Sequence, residues 1–428
     1  MRWTALAVFL VGGWTLARSE APHYFRWQDV QALLASFASA GEKPPDVSDN
    51  AAWSRWIWDR DIAIRARVDH GIEDSISGLI VFGNSFTNQP RLAKAADAVN
   101  AAGDLTASAR SRLESFVQAL DEQDNERLRL TLEFLRHRRV SLEELPAFLG
   151  GNLRRFAIED AAGQQKHAVG RPYTDDGISP ESPMLANFAI FEALRTLKSS
   201  NALPAHIRRV AVIGPGLSIA GEAPGYDFCP PQSVQPFAVL EAVLRQAGAQ
   251  STDVQVTAID LNPYVLAHLR TAKTRSTQRY TIQLARQASA GWSPAAVDYW
   301  EHFGDVIGSP ATPTSAQPGT ELRTIAVKPQ YLARLSVEDL NVVVQFREMP
   351  ASQGFDLVVA ANVLSYYSPF EQALALTGLA EMISHGGILI TDSSLPAQKV
   401  PELESAGTSF TPLSTDGSGV SLAMYRRK

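Results

Sequence analysis

Apolar residues recur at steps of three and four through residues 22 to 170, whereas from residue 209 onward they fall in short unbroken runs separated by stretches of helical spacing. The first pattern predicts helices over Trp27 to Phe37, Trp53 to Val68, Ile72 to Phe82, Leu92 to Ala101, Ala107 to Leu120 and Asn125 to Arg139, with Gly, Pro, Asp and Asn at the joints. The second begins with a helix over Met184 to Lys198 and a β-branched run, Val210, Val212 and Ile213, that ends on Gly214-Pro215-Gly216. Phe237, Leu240, Val243, Leu244 and Ala247 then mark a helix, and Val254, Val256, Ala258 and Ile259 a strand ending on Asp260. Asn262-Pro263 starts another helix, Tyr280 to Leu284 reads as an extra edge strand, and Trp292 to Phe303 as a further helix.

Beyond the Pro- and Gly-rich stretch Gly308 to Thr320, Leu322 to Val327 reads as the third parallel strand, followed by a helix that Ser336 caps and Leu340 and Val343 occupy. Phe355 to Ala360 reads as an apolar strand, Phe370 to Ile383 as a helix ended by Gly386-Gly387, and Ile388 to Thr391 as the next strand. Ser409 to Leu413 and Val420 to Tyr425 pair as a hairpin across Thr415 to Gly419. The alternation specifies an α/β fold: a doubly wound, mostly parallel, seven-stranded Rossmann-like sheet preceded by an all-α region. The loop from residue 167 to 183, rich in Gly, Pro, Asp and Ser, divides a helical domain (22 to 170) from a sheet domain (171 to 428) with inserts at 217 to 235 and 280 to 320.

Composition narrows the function. A chain of 428 residues, 45% hydrophobic and 20% charged, is globular and long enough for two or three domains. The net charge of −6 gives no general attraction to nucleic acid. One cysteine, Cys229, excludes an internal disulfide and a cysteine-based metal cluster, and the eight histidines show no metal-ligand spacing, so no metal is expected. At the N-terminus Arg2, the apolar run Trp3 to Ala17 and Ser19-Glu20-Ala21 form a signal-peptide pattern over residues 1 to 21, with a membrane anchor as the alternative. Export, to the periplasm or an anchored position at the envelope, follows if that pattern is used, and a cytoplasmic protein if it is not. No second stretch approaches a membrane span. Leu128, Leu130, Leu132, Phe134 and Leu135 are set among Arg127, Arg129, Arg136, Arg138 and Arg139, a pattern open to a basic binding helix, but the interspersed Glu126 and Glu133 favour a solvated helix face; Glu73, Asp74 and Ser75 either line a cleft or cap a helix, and caps are favoured.

In an open α/β sheet, ligands bind outside the carboxyl ends of the strands, where Gly214, Gly216 and Asp260 would all lie. A dinucleotide fingerprint needs a third glycine where this chain has Ile219, and a helix N-terminus under the pyrophosphate, whereas the helix here starts near Ser233. Both features weaken a nicotinamide oxidoreductase and favour a ligand with a ribose but no phosphate.

The motifs VAVIGPG, AIDLNPYVLAHL, FDLVVAANVLSYY and GGILITD, in this order, resemble the class I S-adenosylmethionine-dependent methyltransferases over about residues 185 to 428, and the second and fourth strands look closest to the chemotaxis-receptor methyltransferases. The resemblance implies an enzyme with S-adenosyl-L-methionine as cofactor, acting on an acceptor, small molecule or protein, that the sequence does not name. It implies that Gly214 and Gly216 admit the methionine part, that Asp260, with Leu261 beside it, accepts hydrogen bonds from the ribose hydroxyls, and that Ala361 and Asn362 lie by the reacting methyl, Asn362 being the candidate catalytic residue. The chain departs from the family at Ser218, where a third glycine is usual, and in the inserted segment Leu217 to Gln235. Tyr226 and Asp227 in that insert belong to a lid or to an ordered surface loop, and Asp175 and Asp176 in the preceding loop are placed for a lid or are solvated turn residues, the latter favoured. Tyr366, Tyr367 and Asp392 lie near the expected carboxyl edge without a distinct claim as a base. An exported chain also admits a different class of function, a catalytically inactive methyltransferase-like binding or assembly module of the cell envelope.

Overall fold

The computed structural model describes residues 21 to 428 except 39–43, 45–46, 123–124, 169–176, 182, 221–224, 248–252, 275–278, 314–318, 351–352 and 393–394. The apolar run Trp3 to Ala17 and the two aspartates Asp175 and Asp176 lie outside the described residues. Along the chain come β1 (His23–Tyr24), α1 (Trp27–Ala38), α2 (Asn50–Phe82), α3 (Ala107–Glu122), α4 (Glu126–His137), α5 (Leu145–Ala168) and α6 (Met184–Ser199). Then follow β2 (Arg209–Ile213), α7 (Gln235–Ala247), β3 (Gln255–Asp260), α8 (Pro263–Thr274), β4 (Tyr280–Gln287), α9 (Pro294–His302), β5 (Gly308–Pro310) and β6 (Thr320–Val327). The last part holds α10 (Pro329–Leu332), β7 (Leu335–Asp339), β8 (Gln345–Phe346), β9 (Phe355–Ala360), α11 (Pro369–Met382), β10 (Ile383–Asp392), β11 (Leu403–Pro412) and β12 (Gly419–Arg427).

The main sheet has seven strands in the order β11-β12-β10-β9-β2-β3-β7. Five of them, β10 through β7, run parallel, and the terminal hairpin adds β12 antiparallel to β10 and β11 antiparallel to β12. The strand at the β3 edge is Leu335–Asp339, and this corrects the expected third parallel strand at Leu322 to Val327. That run lies in β6, which pairs antiparallel with β4 and β5 in a separate three-stranded sheet. The physical reason is that β7 is an edge strand whose Ser336, Val337, Glu338 and Asp339 are not buried. It therefore lacks the continuous apolar run of a central parallel strand. Ser336 is thus a strand residue whose hydroxyl lies 2.9 Å from that of Thr257, not a helix cap. At the other boundary α11 stops at Met382 and β10 begins at once with Ile383 opposite Phe355. Gly386 and Gly387 fall in the register shift between Ile383 and Ile388, so they bend a strand rather than end the helix.

Two further corrections fall in the helical part. Trp53 to Val68 and Ile72 to Phe82 belong to one helix of 33 residues, and Leu92 to Ala101 holds only a short 3₁₀ turn, Ala95–Ala98. Gly71 does not break α2; a Cβ there would stand 1.9 Å from the carbonyl oxygen of Ile178, so the glycine serves a close approach of backbones. Helix α5, whose apolar pattern is interrupted by Gly150-Gly151, is an addition to the expected helices. Among the described residues no helix is long and apolar enough to cross a membrane.

Alternate residues of the central strands enter two cores. Val210, Val212, Leu357 and Val359 pack with α3 to α9 and the second half of α2, including Ile72, Ile76 and Leu79. Ala211, Ile213, Val358 and Ala360 pack with α1, α11 and the first half of α2, including Trp53, Ile57 and Ile64. Helix α2 therefore passes from one face of the sheet to the other. Residues 21 to 168 supply helices to both cores.

Candidate functional site

Strand β2 is followed by β3 on one side of it, and β9 lies on the other, so the chain changes direction between β2 and β9. Loops leaving the carboxyl ends of such neighbours diverge and open a crevice. A crevice lies there, lined by Gly214 and Gly216 after β2, by Asp260, Leu261 and Asn262 after β3, and by Ala361 and Asn362 after β9. The structure thus brings all six sequence-predicted cofactor residues to one cavity.

The turn after β2 is built for close approach. Gly214 and Gly216 adopt φ of 61° and 73°, which residues with a Cβ seldom do, and a Cβ on Gly214 would meet Val363 Cγ2 at 2.6 Å. Asp260 Oδ1 accepts the Asn262 N–H at 2.8 Å, and the Leu261 and Gly216 N–H groups also point at the carboxylate. Burial nevertheless raises its pKa to about 6, with the charge of Asp339, its register partner on β7, adding to the rise. Asn362 has a left-handed φ of 60° and donates its N–H to Asp392 Oδ1 at 3.0 Å, while burial raises the Asp392 carboxyl. This is a strained backbone position of the kind that clusters at binding sites. Asp392 itself is not a lining residue; it holds the turn that is.

The opposite wall comes from residues that the sequence did not single out. Val68 of α2 lines the crevice, as do Ile178, Ser179, Pro180, Glu181 and Pro183 of the segment ahead of α6, and Gln235 at the start of α7. The segment is strapped between two elements: the Ile178 N–H donates to the Arg67 carbonyl at 2.9 Å, and the Leu217 N–H to the Pro180 carbonyl at 2.7 Å. Glu181 Oε1 accepts the N–H groups of Ile219 and Ala220, both at 2.8 Å. A readable signal was available in Gly71, a glycine in the middle of an amphipathic helix. Tyr366 and Tyr367 complete the wall; Tyr367 is buried, its phenol raised by burial, with the Arg67 guanidinium 5.7 Å from its ring centroid. Asp260 and Glu181 are the charged side chains lining the crevice among the described residues, and none there is basic.

Two of the expected lid residues, Tyr226 and Asp227, lie elsewhere. Asp227, buried, accepts the backbone N–H groups of Asn84 at 2.7 Å and Ser85 at 2.5 Å, and neither it nor Tyr226 lines the crevice. The described residues of the insert are instead bound to the helical part of the core. Arg127 of α4, only 1% exposed, donates to the carbonyls of Cys229 (2.8 Å), Ser218 (3.1 Å), Tyr226 (3.2 Å) and Ile219. The expectation that this arginine sits on a solvated face is corrected accordingly. Glu73 and Asp74, expected as caps, pair with Arg155 in mid-helix, and burial lifts the Asp74 carboxyl to about 7. His70, Asp74 and Glu159 bring their ligand atoms within 4.8 Å of one another, but the Arg155 guanidinium already bonds both carboxylates, at 2.8 and 3.0 Å.

Neither a protein-family model nor a curated protein matches the sequence. Among solved structures, the chain is similar to the N-methyltransferase NodS from Bradyrhizobium japonicum WM9 in complex with S-adenosyl-L-homocysteine, at 14% identity and TM-score 0.27 over 56% of this chain and 85% of that one. It is also similar to a TehB-like SAM-dependent methyltransferase from Corynebacterium glutamicum (12%, 0.26, 63% and 97%) and to the PH0226 protein from Pyrococcus horikoshii (10%, 0.29, 60% and 95%). Likenesses at such scores say nothing of this chain's chemistry, which rests on its own residues. What the geometry establishes is a doubly wound α/β sheet with a crevice at the point where its strand order reverses.

Proposed function

We propose that this chain is an S-adenosylmethionine-dependent methyltransferase. The observation that carries the reading is that two left-handed glycines, an acid at the end of the neighbouring strand and a strained asparagine after β9 converge on one crevice whose charged lining is acidic. Such a crevice suits a ligand that has a ribose and a positive charge but no phosphate, because a phosphate would face two carboxylates with no basic side chain beside it among the described residues. A dinucleotide fits less well still: α7 starts at Gln235, so no helix N-terminus directly follows Gly216.

When bound, the cofactor would supply an electrophilic methyl group, and the residues of this chain would do the rest. Gly214 and Gly216 leave room for a ligand against the backbone. Asp260, kept in place by three backbone N–H groups, offers its remaining lone pairs to the ribose hydroxyls, a charged-acceptor contact worth about 1.5–3 kcal/mol. Val68, Ile178, Pro180 and Tyr367 wall the crevice with apolar surface, which excludes water from a displacement that depends on alignment more than on acid–base chemistry. Asn362 cannot take a proton, so it is not the base for an acceptor that must lose one. Calorimetric titration of the full chain with S-adenosylhomocysteine and NAD in parallel tests the reading: binding of the first and not the second supports it, and the reverse would replace it with a nicotinamide oxidoreductase.

A further inference from the structure

Gln235 opens α7 and is 2% exposed, yet its amide oxygen has no hydrogen-bond partner among the described residues. Buried side-chain oxygens are paired in the large majority of cases, and an unpaired one costs folding free energy. Four other polar side chains on the crevice wall are held by the protein: Asp260 by the Asn262 N–H, Asn262 Oδ1 by the Tyr264 N–H, Glu181 by the N–H groups of Ile219 and Ala220, and Ser179 Oγ by the Glu181 N–H. Gln235 differs from all of these, and it lines the crevice. With Glu181 it gives the wall two acceptor side chains besides those at the carboxyl ends of β3 and β9, and no basic side chain among the described residues lines the crevice. A ligand group that suits them is a cation with several N–H donors.

Resting on the methyltransferase reading, we propose that Gln235 is a ligand-binding residue, its amide oxygen accepting a hydrogen bond from the ammonium group at the amino-acid end of the cofactor, beside the Glu181 carboxylate. The glutamine is retained at a cost to stability because it is satisfied only when ligand is bound. Two consequences separate this role from packing. An apolar side chain of similar shape should leave the free protein no less stable, since it removes an unpaired polar atom. It should also weaken only those ligands that carry the ammonium group.

The test uses the full chain, calorimetric titration with S-adenosylhomocysteine and with methylthioadenosine, which has the nucleoside and sulfur but no amino-acid end, and thermal unfolding without ligand. For Gln235→Leu the expected result is S-adenosylhomocysteine affinity reduced about ten- to hundredfold, the range for a hydrogen bond to a charged group. Methylthioadenosine affinity should be unchanged and Tm equal or higher. Gln235→Glu keeps an acceptor and adds charge, and should bind S-adenosylhomocysteine at least as well as wild type. If Gln235→Leu is not recovered folded, Gln235→Met carries the same comparison. Wild-type affinity for S-adenosylhomocysteine in the apolar variant, or equal loss of both ligands, would overturn the assignment while leaving the methyltransferase reading in place. A wild-type chain that binds neither ligand would overturn that reading, and this inference with it.

Discussion

Arg127 and Cys229 stand 102 residues apart in the chain, and the guanidinium Nε of the first donates to the main-chain oxygen of the second at 2.8 Å. The same side chain reaches three more carbonyls of the insert, so one buried cation satisfies backbone groups that would otherwise lie unpaired in the core. Arg127→Ala is expected to destabilise the chain by about 3–4 kcal/mol, since several buried acceptors lose their donor at once. Arg127→Lys should recover little of this, because one ammonium cannot span the positions that a planar guanidinium bridges. Denaturant unfolding measures both, and a loss within experimental error for Arg127→Ala would show that the insert is held by other contacts.

Asp260 links affinity to pH. Its carboxyl is raised to about 6 against an ordinary value of 3.8, so the folded chain holds this proton more tightly than the unfolded chain does. Stability from this group is therefore present below about pH 4, falls as pH rises between about 4 and 6, and is flat above. Binding runs the other way, because the ionised carboxylate is the better acceptor for ribose hydroxyls. Affinity for S-adenosylhomocysteine should climb as pH rises through about 6 and level off above it. Asp260→Ala should weaken it by about one to two decades and remove the step. Asp339→Asn, which deletes the neighbouring like charge, should move the step to lower pH. Titrations across that range decide the matter; an unchanged step in Asp260→Ala assigns it to another group.

The parts of the molecule legible in the sequence are those in which one residue type has one use. Short apolar runs rich in Val and Ile locate β2, β3 and β9, because parallel strands buried on both faces admit little else, and Gly214, Gly216, Asp260 and Asn362 follow at their carboxyl ends. Edge strand β7 was illegible because Leu335-Ser-Val-Glu-Asp339 needs to bury little. Arg127 was illegible for a different reason: an arginine among glutamates on a helix has the same local pattern whether it faces water or a buried loop, and only the fold distinguishes the two. The strap and Gln235 belong to the same class. Their neighbours on the crevice wall come from β2, β3 and β9, far along the chain, and no local periodicity encodes that meeting.

Gly71 and Gly177 meet where the strap crosses α2. A Cβ on Gly71 would lie 1.9 Å from the Ile178 carbonyl oxygen, and one on Gly177 would lie 2.7 Å from the Gly71 nitrogen. Gly71→Ala improves the local helix propensity by about 1 kcal/mol, so a purely local account expects a more stable protein. The tertiary contact opposes this: the added methyl must push Ile178 to Pro180 off the helix, and these residues form one wall of the crevice. The expected outcome is lower S-adenosylhomocysteine affinity, by about tenfold or more on the scale for loss of a positioned wall, together with a net loss of stability. Raised Tm with unchanged affinity would show that the strap adjusts without cost.

The helices ahead of residue 177 are expected to be inseparable from the sheet. Trp53 donates its indole N–H to the Phe25 carbonyl at 2.7 Å inside the core that holds Ile213 and Ala360. Asp61 accepts from Tyr24 Oη at 2.6 Å and from Asn341 Nδ2 at 2.7 Å, and Arg60 pairs with the buried Glu371 of α11. On the other face Ile72 to Val81 share a core with Val210 and Val256. A fragment of residues 177 to 428 would thus leave apolar surface exposed on both faces of the sheet, a buried carboxylate without its arginine, and a crevice without Val68. Each of these opposes folding, and the uncompensated buried charge alone costs about 3–5 kcal/mol. The fragment should lack a cooperative thermal transition and should bind a hydrophobic dye such as anilinonaphthalene sulfonate. Coexpressing residues 21 to 176 in trans should restore both the transition and the affinity for S-adenosylhomocysteine. If the fragment alone unfolds cooperatively and binds with full-length affinity, the helices are an appended layer, and acceptor recognition must then be sought on the sheet side of the crevice, among Asn362, Tyr366 and the loop after β10.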